Sequence, residues 1–188
     1  MTVGIDEVGR GCWAGPLVAA AVVLGKHQIS GLTDSKKLTT KKRELLNGQI
    51  LAQAEAVGIG WIEPEFIDKQ GLTRAVKLAM RQALQAITVN YSKIIIDGNI
   101  NYLSDNPKAE CLVRADATID EVSAASIVAK VARDEYMTKI SSDYPLYGFE
   151  KHVGYGTEEH IKQLKTHGVC AIHRLSYKPV KQILGAMQ

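Results

Sequence analysis

GIDEVGRGCWAGPLVAAAVVL, residues 4 to 24, sets two apolar segments on either side of a glycine-rich turn. Residues 2 to 8 and 17 to 24 each have the length and apolar content of a strand. The intervening GRGCWAGP carries the glycines and proline of a turn, so the pair predicts a β-hairpin. A dinucleotide-binding fingerprint is excluded, because the third glycine of G-x-G-x-x-G falls on Ala14. Pro16 then leads into a second strand where that motif needs a helix. The stretch also places Asp6 and Glu7 side by side at the end of an apolar run, where they repel each other and solvate badly.

Outward from the hairpin, a polar loop holding TDSKKL precedes a helix predicted over about residues 39 to 55, with Leu45, Leu46, Ile50 and Leu51 at helical spacing. AVGIGWI, residues 56 to 62, reads as a third strand. From Leu72, apolar residues recur at steps of three and four through Ile87, the pattern of an amphipathic helix. SKIIIDGN, residues 92 to 99, reads as a strand buried on both faces, with Asp97 at its end. Residues 110 to 115 give a shorter fifth strand that ends at Asp116. Thr118 and Glu121 form a T-x-x-E capping box opening a long helix whose Ala124, Ala125, Ser126 and Ala129 permit close packing on a sheet. Beyond Pro145 come the glycine-rich YGFEKHVGYGT, a helix capped by Thr157 that runs to about His167, and a basic, weakly helical tail over residues 173 to 188. The order implies an α/β fold: a mixed sheet flanked by helices, followed by a mostly helical C-terminal portion. Residues 1–188 read as one domain, with 145–188 as its C-terminal loop and helical extension.

Composition narrows the function classes. The chain has 188 residues, 46% hydrophobic and 23% charged, enough for one core. No run approaches the roughly 18 apolar residues of a membrane span, and no basic segment precedes an apolar one at the N-terminus, so a cytoplasmic protein without membrane contact is expected. Cys12, Cys111 and Cys170 are odd in number and far apart, which argues for reduced thiols over a disulfide framework or zinc knuckle. His152, His160, His167 and His173 are too irregularly spaced for a zinc site, and surface or cap roles are expected for most of them. No P-loop and no G-x-S-x-G occurs. A net charge of +3 is compatible with a polyanionic partner without requiring one.

Asp6, Glu7, Asp97 and Asp116 all fall at predicted strand ends. Hard divalent cations take carboxylate oxygens, and two of them about 4 Å apart can clamp the attacking and leaving oxygens of a phosphodiester. Such a site needs several acids converging on a small volume, which these four supply. Neighbouring side chains of a strand point to opposite faces, so Asp6 and Glu7 share a site only if the strand bends near Gly9 and Gly11. Taken singly, Asp97 before Gly98 also reads as a turn-former and Asp116 as a residue near a helix cap.

The residues GIDEVGRG with AGPLVAAAVVL, then DSKKL, IIIDGN, AD followed by VSAASIVAKVARDEYM, YPLYGFEKHVGYGT and HRLSY occur in one order over residues 4 to 177. In this the chain resembles bacterial ribonuclease HII, a type 2 ribonuclease H. The resemblance implies a ribonuclease H-like fold with a sheet of about five strands, the first three antiparallel. It implies that Asp6, Glu7, Asp97 and Asp116 are the catalytic, metal-binding acids, with two Mg²⁺ or Mn²⁺ ions as cofactors. The implied activity is hydrolysis of the RNA strand of RNA/DNA hybrids and cutting 5′ of single ribonucleotides embedded in duplex DNA. A metal-activated water attacks in line, leaving 3′-hydroxyl and 5′-phosphate ends. By the same resemblance, the backbone of Gly9, Arg10 and Gly11 approaches the ribose 2′-hydroxyl, and Tyr155 stacks on the sugar at the deoxy side of the junction. Lys36 and Lys37 match a basic substrate-binding motif, with Lys41, Lys42, Arg43, Lys151, Arg174 and Lys178 as further candidates for backbone contacts or simply a solvated basic face.

Some positions depart from the family pattern. Cys12 and Trp13 stand where many members have proline and leucine, and Ala115 where glycine often precedes the fourth acid. Asp120 lies close enough to Asp116 in sequence to assist or replace it. Gln182, Leu184 and Met187 resemble loosely a sliding-clamp peptide, against which stands a plain closing helix, and the chain is expected to act as a monomer. Two other functions stay open on these residues: a catalytically silent hybrid-binding protein of the same fold, and a DNA nuclease or integrase-like transferase using similar acids.

Overall fold

Strand β1 (Thr2–Val8) pairs antiparallel with β2 (Leu17–Val23), Asp6 opposite Ala20 and Glu7 opposite Ala19, in the computed structural model, which describes residues 1–26 and 28–185. The chain continues through α1 (Thr40–Gln53), β3 (Ala56–Ile62), α2 (Pro64–Gln70) and α3 (Leu72–Gln85) to β4 (Lys93–Asp97) and β5 (Ala109–Leu112). The long α4 (Asp120–Ile140) follows, then α5 (Phe149–His152), α6 (Glu158–His167) and α7 (Lys178–Gly185). Among the described residues the strands form one five-stranded sheet in the order β3-β2-β1-β4-β5, with β1–β2 and β2–β3 antiparallel and β1–β4 and β4–β5 parallel. That is the mixed α/β sheet the sequence predicts.

The sheet is a middle layer. Leu17, Ala19, Ala21 and Val23 of β2 pack with Val76, Ala79, Met80 and Ala83 of α3 on one side. Val18, Ala20 and Val22 pack on the other side with Leu46 and Ile50 of α1 and with Ala124, Ala125 and Val128 of α4. Every residue of β2 is therefore buried, as an all-apolar strand between two helical layers requires. Gly60 lets α3 approach β3 closely, because a Cβ there would run into the Ala79 carbonyl. The small face of α4 does the same for β1 on the opposite side, where a Cβ on Gly4 would meet the backbone of Glu121 and Val122.

The structure corrects several sequence expectations. Leu45 and Leu51 are exposed and only Leu46 and Ile50 face the core, so the α1 stripe is narrower than its leucines suggest. Helix α2 lies in a stretch the apolar pattern left unassigned, started by Pro64 at its first turn. Strand β5 stops at Leu112, and the chain turns through Arg114 at φ +60°, so Asp116 sits in a 3₁₀ turn over Ala115–Ala117, not at a strand end. Thr118 does not cap α4; its hydroxyl donates to the Arg114 carbonyl at 3.4 Å, and Ile119 occupies the cap position. The tail is helical from Lys178, with Gln182 exposed and Leu184 half-buried; Met187 lies outside the described residues.

Candidate active site

Strands β1 and β4 run parallel with Ile5 opposite Ile96, so Asp6 and Asp97 leave neighbouring strands at the same level. Neighbouring strands lie about 5 Å apart, within reach of two carboxylates on one small ion. Asp116 is joined to this pair directly, its backbone N–H donating to Asp97 Oδ1 at 3.4 Å. Glu7 borders the same cleft as Asp6, at the point where Gly9, at φ +91°, ends the strand. Asp6 and Glu7 line one cleft, Asp97 and Asp116 the next, and Lys36 lines both.

Electrostatics shows what this arrangement does to the acids. Burial holds the Asp6 carboxyl well above its ordinary pKa, and the charges of Glu7 and Asp97 push it the same way against a hydrogen bond from Ser126. Glu7 is raised chiefly by burial, opposed by Arg10, whose Nη1 lies 3.2 Å from Glu7 Oε1. Asp116 is raised by burial and then by Asp97 and Asp34, with Lys36 and Lys37 pulling it back. Among the described residues, no group of three or more His, Cys, Asp or Glu side chains is gathered in an arrangement that could hold a metal ion. Three of the acids instead face a local partner: Asp6 Oδ1 accepts from Glu7 N–H at 2.8 Å, Glu7 pairs with Arg10, and Asp97 accepts from Asp116 N–H.

The donor set is nevertheless that of a hard divalent cation: carboxylate oxygens alone, with Asp6 and Asp116 buried and disfavoured as anions chiefly by that burial. Asp6 and Asp97 leave neighbouring strands at one level, Asp116 N–H meets Asp97, and Glu7 borders the Asp6 cleft, so these are the residues that could hold such an ion. Asp120 is not among them. It is exposed on another face, beside Lys26 and Gln28.

A carboxyl with a raised folded-state pKa favours its neutral form on folding. Its ionisation therefore removes stability as the pH rises from the unfolded value of about 4 through the raised value. Asp6→Asn is accordingly expected to raise the melting temperature of the metal-free protein at pH 7, and to lose that advantage as the pH approaches 4. Thermal unfolding in chelator at both pH values checks this; a variant less stable than the parent at pH 7 would show that Asp6 is not strained.

The rest of the cleft comes from distant segments. Ser35 and Ser126 share a hydrogen bond at 2.9 Å, which docks the Lys36–Lys37 turn onto α4 beside Asp6. Lys36 and Lys37 are exposed at the rim of the cleft that holds Asp97 and Asp116. Tyr155 lines the same cleft as Asp6 and Glu7, its ring 5.6 Å from Lys130 Nζ. Arg10 and Gly11 are exposed on the hairpin turn, and the Gly9 carbonyl is tied inward.

That tie corrects the reading of Arg174 as a surface cation. Arg174 is fully buried, donating to the carbonyls of Gly9 at 2.6 Å, Arg10 at 3.3 Å and Gly15 at 3.0 and 2.8 Å. Arg43 is likewise buried, bonded to the Ser35 and Leu38 carbonyls. Lys41, Lys42 and Lys178 are exposed, and Lys151 pairs with Glu159 at 3.0 Å. Sequence reading passed over Ser35, Ser126, Lys130 and the fully buried Arg133, which holds the Ala14, Pro16 and Val153 carbonyls. The available signal was spacing: Ser123, Ser126, Lys130 and Arg133 recur at three and four residues along α4, on one face of the helix.

Comparisons with known proteins give the family and the fold. The family model described as Ribonuclease HII matches residues 3–180. The chain is 48% identical over 181 residues to the Ribonuclease HII of Thermotoga maritima, covering 96% of this chain and 74% of that one. It is 44% identical over 187 residues to the Ribonuclease HII of Acidovorax sp. strain JS42, covering 99% and 89%. Among solved structures it is similar to the ribonuclease H2 of Pyrococcus horikoshii OT3, at a TM-score of 0.83 and 26% identity over 99% of this chain and 98% of that one. It is also similar to a chain of the PCNA:RNase HII complex of Archaeoglobus fulgidus, at a TM-score of 0.79 and 25% identity over 97% and 96%.

Proposed function

Because the chain belongs to the ribonuclease HII family, we propose that it cuts the RNA strand of RNA/DNA hybrids and also cuts 5′ of a single ribonucleotide embedded in duplex DNA. It is an endoribonuclease of the ribonuclease H type. The observation that carries the finer reading is the placement of Asp97: it borders Asp116, lies level with Asp6, and its charge is felt by Asp6, Glu7 and Asp116.

Asp6, Glu7, Asp97 and Asp116 would hold two divalent cations, Mg²⁺ or Mn²⁺, which when bound supply the charge that activates water and stabilises the departing 3′-oxygen. The chain's own residues do the rest. Lys36 and Lys37 meet the backbone phosphates at the rim, a contact that positions without reading sequence. The turn at Gly9, Arg10 and Gly11 presents backbone to the ribose 2′-hydroxyl, the group that separates RNA from DNA. Its shape is held by Arg174 and Arg133 from below, so recognition rests on a rigid surface. Tyr155 lines the same cleft as Asp6 and Glu7, where a sugar without a 2′-hydroxyl stacks on its ring. All of these residues come from one chain, and residues 1–188 act as one catalytic unit in which 145–188 brace the site.

The test is a labelled DNA duplex containing one ribonucleotide, incubated with Mg²⁺ or Mn²⁺ beside an all-DNA duplex. A single cut 5′ of the ribonucleotide, leaving 3′-hydroxyl and 5′-phosphate ends, is expected. Equal cutting of the all-DNA duplex, or binding of the substrate with no cut, would overturn the proposal.

A further inference from the structure

Of the C-terminal histidines, His167 is exposed at the end of α6, as expected, while the other three are not surface residues. His152, His160 and His173 are buried together: the rings of His152 and His160 stack at 4.5 Å and 15°, and His160 Nε2 lies 3.0 Å from His173 Nε2. Nothing in the proposed chemistry uses them, and three buried imidazoles in contact are an expensive way to fill space unless their hydrogen bonds matter.

Their shorter hydrogen bonds share one direction, which leaves unused only the longer, 3.3 Å approach of His173 Nδ1 to the Cys170 carbonyl. The Tyr155 carbonyl can only accept, so His160 Nδ1, 2.9 Å away, carries the proton. Neutral His160 then has a bare Nε2, which must accept from His173 Nε2. Neutral His173 in turn has a bare Nδ1, and the Cys170 backbone N–H donates to it at 2.9 Å. A chain of imidazoles thus runs between two backbone anchors, from Cys170 N–H to the Tyr155 carbonyl. His152 secures the residue before: its Nδ1 accepts from Gly154 N–H at 3.2 Å, and its Nε2 donates to the Tyr147 carbonyl at 2.8 Å. Burial and the neighbouring rings depress the pKa values of both His160 and His173 to about 4, which keeps the chain neutral at physiological pH.

We propose that His160 and His173 are positioning residues for substrate discrimination: by holding the Tyr155 backbone through this hydrogen-bond chain, they fix where the Tyr155 ring stands relative to the acids. The inference rests on the reading of Tyr155 as the residue that stacks on the deoxy-side sugar. Its other holds are two backbone bonds, Tyr155 N–H to the His152 carbonyl at 2.9 Å and Thr157 N–H to the Tyr155 carbonyl at 2.9 Å, with Lys130 and Arg133 at 5.6 and 6.0 Å from the ring centre and the phenol facing the buried Cys12. Breaking the imidazole chain would leave the acids untouched and let the ring drift, and misplacement by about 1 Å is enough to change rates strongly.

The test compares cleavage of the embedded-ribonucleotide duplex with cleavage of a long RNA/DNA hybrid in His160→Leu, His160→Asn, Tyr155→Ala and the double variant Tyr155→Ala/His160→Leu. His160→Leu should lower the ratio of the two rates by about tenfold, and His160→Asn, which keeps a donor facing the Tyr155 carbonyl, should recover most of it. The double variant should fall no further than Tyr155→Ala alone. If Tyr155→Ala lowers the ratio while folded His160→Leu leaves it unchanged, or if the two losses multiply, the positioning role is wrong and the Tyr155 reading stands. If Tyr155→Ala itself leaves the ratio unchanged, the Tyr155 reading fails, and the discrimination role of the histidines with it. Should His160→Leu not fold, imidazole ¹⁵N spectra of the parent decide: His160 protonated at Nδ1 and His173 at Nε2 are expected, and the opposite tautomers would break the chain.

Discussion

Asp97→Asn lowers hydrolysis of an RNA/DNA hybrid by about a thousandfold or more while leaving the fold intact. The size of the expected loss follows from position. Asp97 ends β4 beside β1, and its charge acts on Asp6, Glu7 and Asp116, so its removal takes away the oxygen set's shared member. Asparagine keeps the shape and can still accept from Asp116 N–H, which now finds Asp97 Oδ1 at 3.4 Å. The backbone should therefore not move, and relief of repulsion should make the metal-free variant at least as stable as the parent. Steady-state rates at saturating Mn²⁺, read beside thermal unfolding, check both halves. Activity within tenfold of the parent would remove Asp97 from the centre of the site.

Arg174→Met is expected to damage stability and activity together, through a different cause. The Arg174 guanidinium is fully buried and satisfies the carbonyls of Gly9, Arg10 and Gly15, besides donating to the Tyr177 hydroxyl at 2.8 Å. Methionine fills similar volume and leaves those acceptors without partners, at about 3 to 5 kcal/mol for a buried hydrogen-bonded cation removed from its site. The released carbonyls belong to the turn proposed above to meet the 2′-hydroxyl, so discrimination against an all-DNA duplex should weaken along with the denaturation midpoint. Arg174→Lys should rescue little, since one ammonium cannot reach carbonyls arranged around a planar fork. A midpoint shift under about 0.5 kcal/mol for Arg174→Met, the level of an ordinary surface substitution, would contradict this role.

The mixed sheet was legible because its signals are local. The all-apolar LVAAAVV could only be a strand covered on both sides, and the Gly and Pro punctuation of residues 9 to 16 marked the turn that the structure places there. Asp6, Glu7 and Asp97 were legible singly, near strand ends, whereas Asp116 sits in a 3₁₀ turn; that Asp6 and Asp97 fall level follows from a register that no local pattern encodes, since β1 pairs with β4 across some ninety intervening residues. The buried arginines were not legible. A lone arginine in HRLSY reads as a surface cation, and only the folded turn supplies the carbonyls that make its burial tolerable. The expected surface or cap role holds for His167 but fails for the other three histidines, which α5, α6 and the following loop bring into contact from positions far apart in sequence. The T-x-x-E box at Thr118 failed because the preceding 3₁₀ turn captures the threonine hydroxyl before it can cap the helix.

The central claim is that these four separated carboxylates jointly hold the divalent cations at which a phosphodiester is cut. Anomalous diffraction from crystals grown with Mn²⁺ and a non-cleavable RNA/DNA hybrid tests it most directly. Manganese peaks bridging Asp6 and Asp97, with Asp116 and Glu7 completing the sets and a phosphate of the RNA strand between them, are the predicted result. Manganese bound elsewhere, with Asp97 still facing Asp116 N–H and no contact to Asp6, would contradict it.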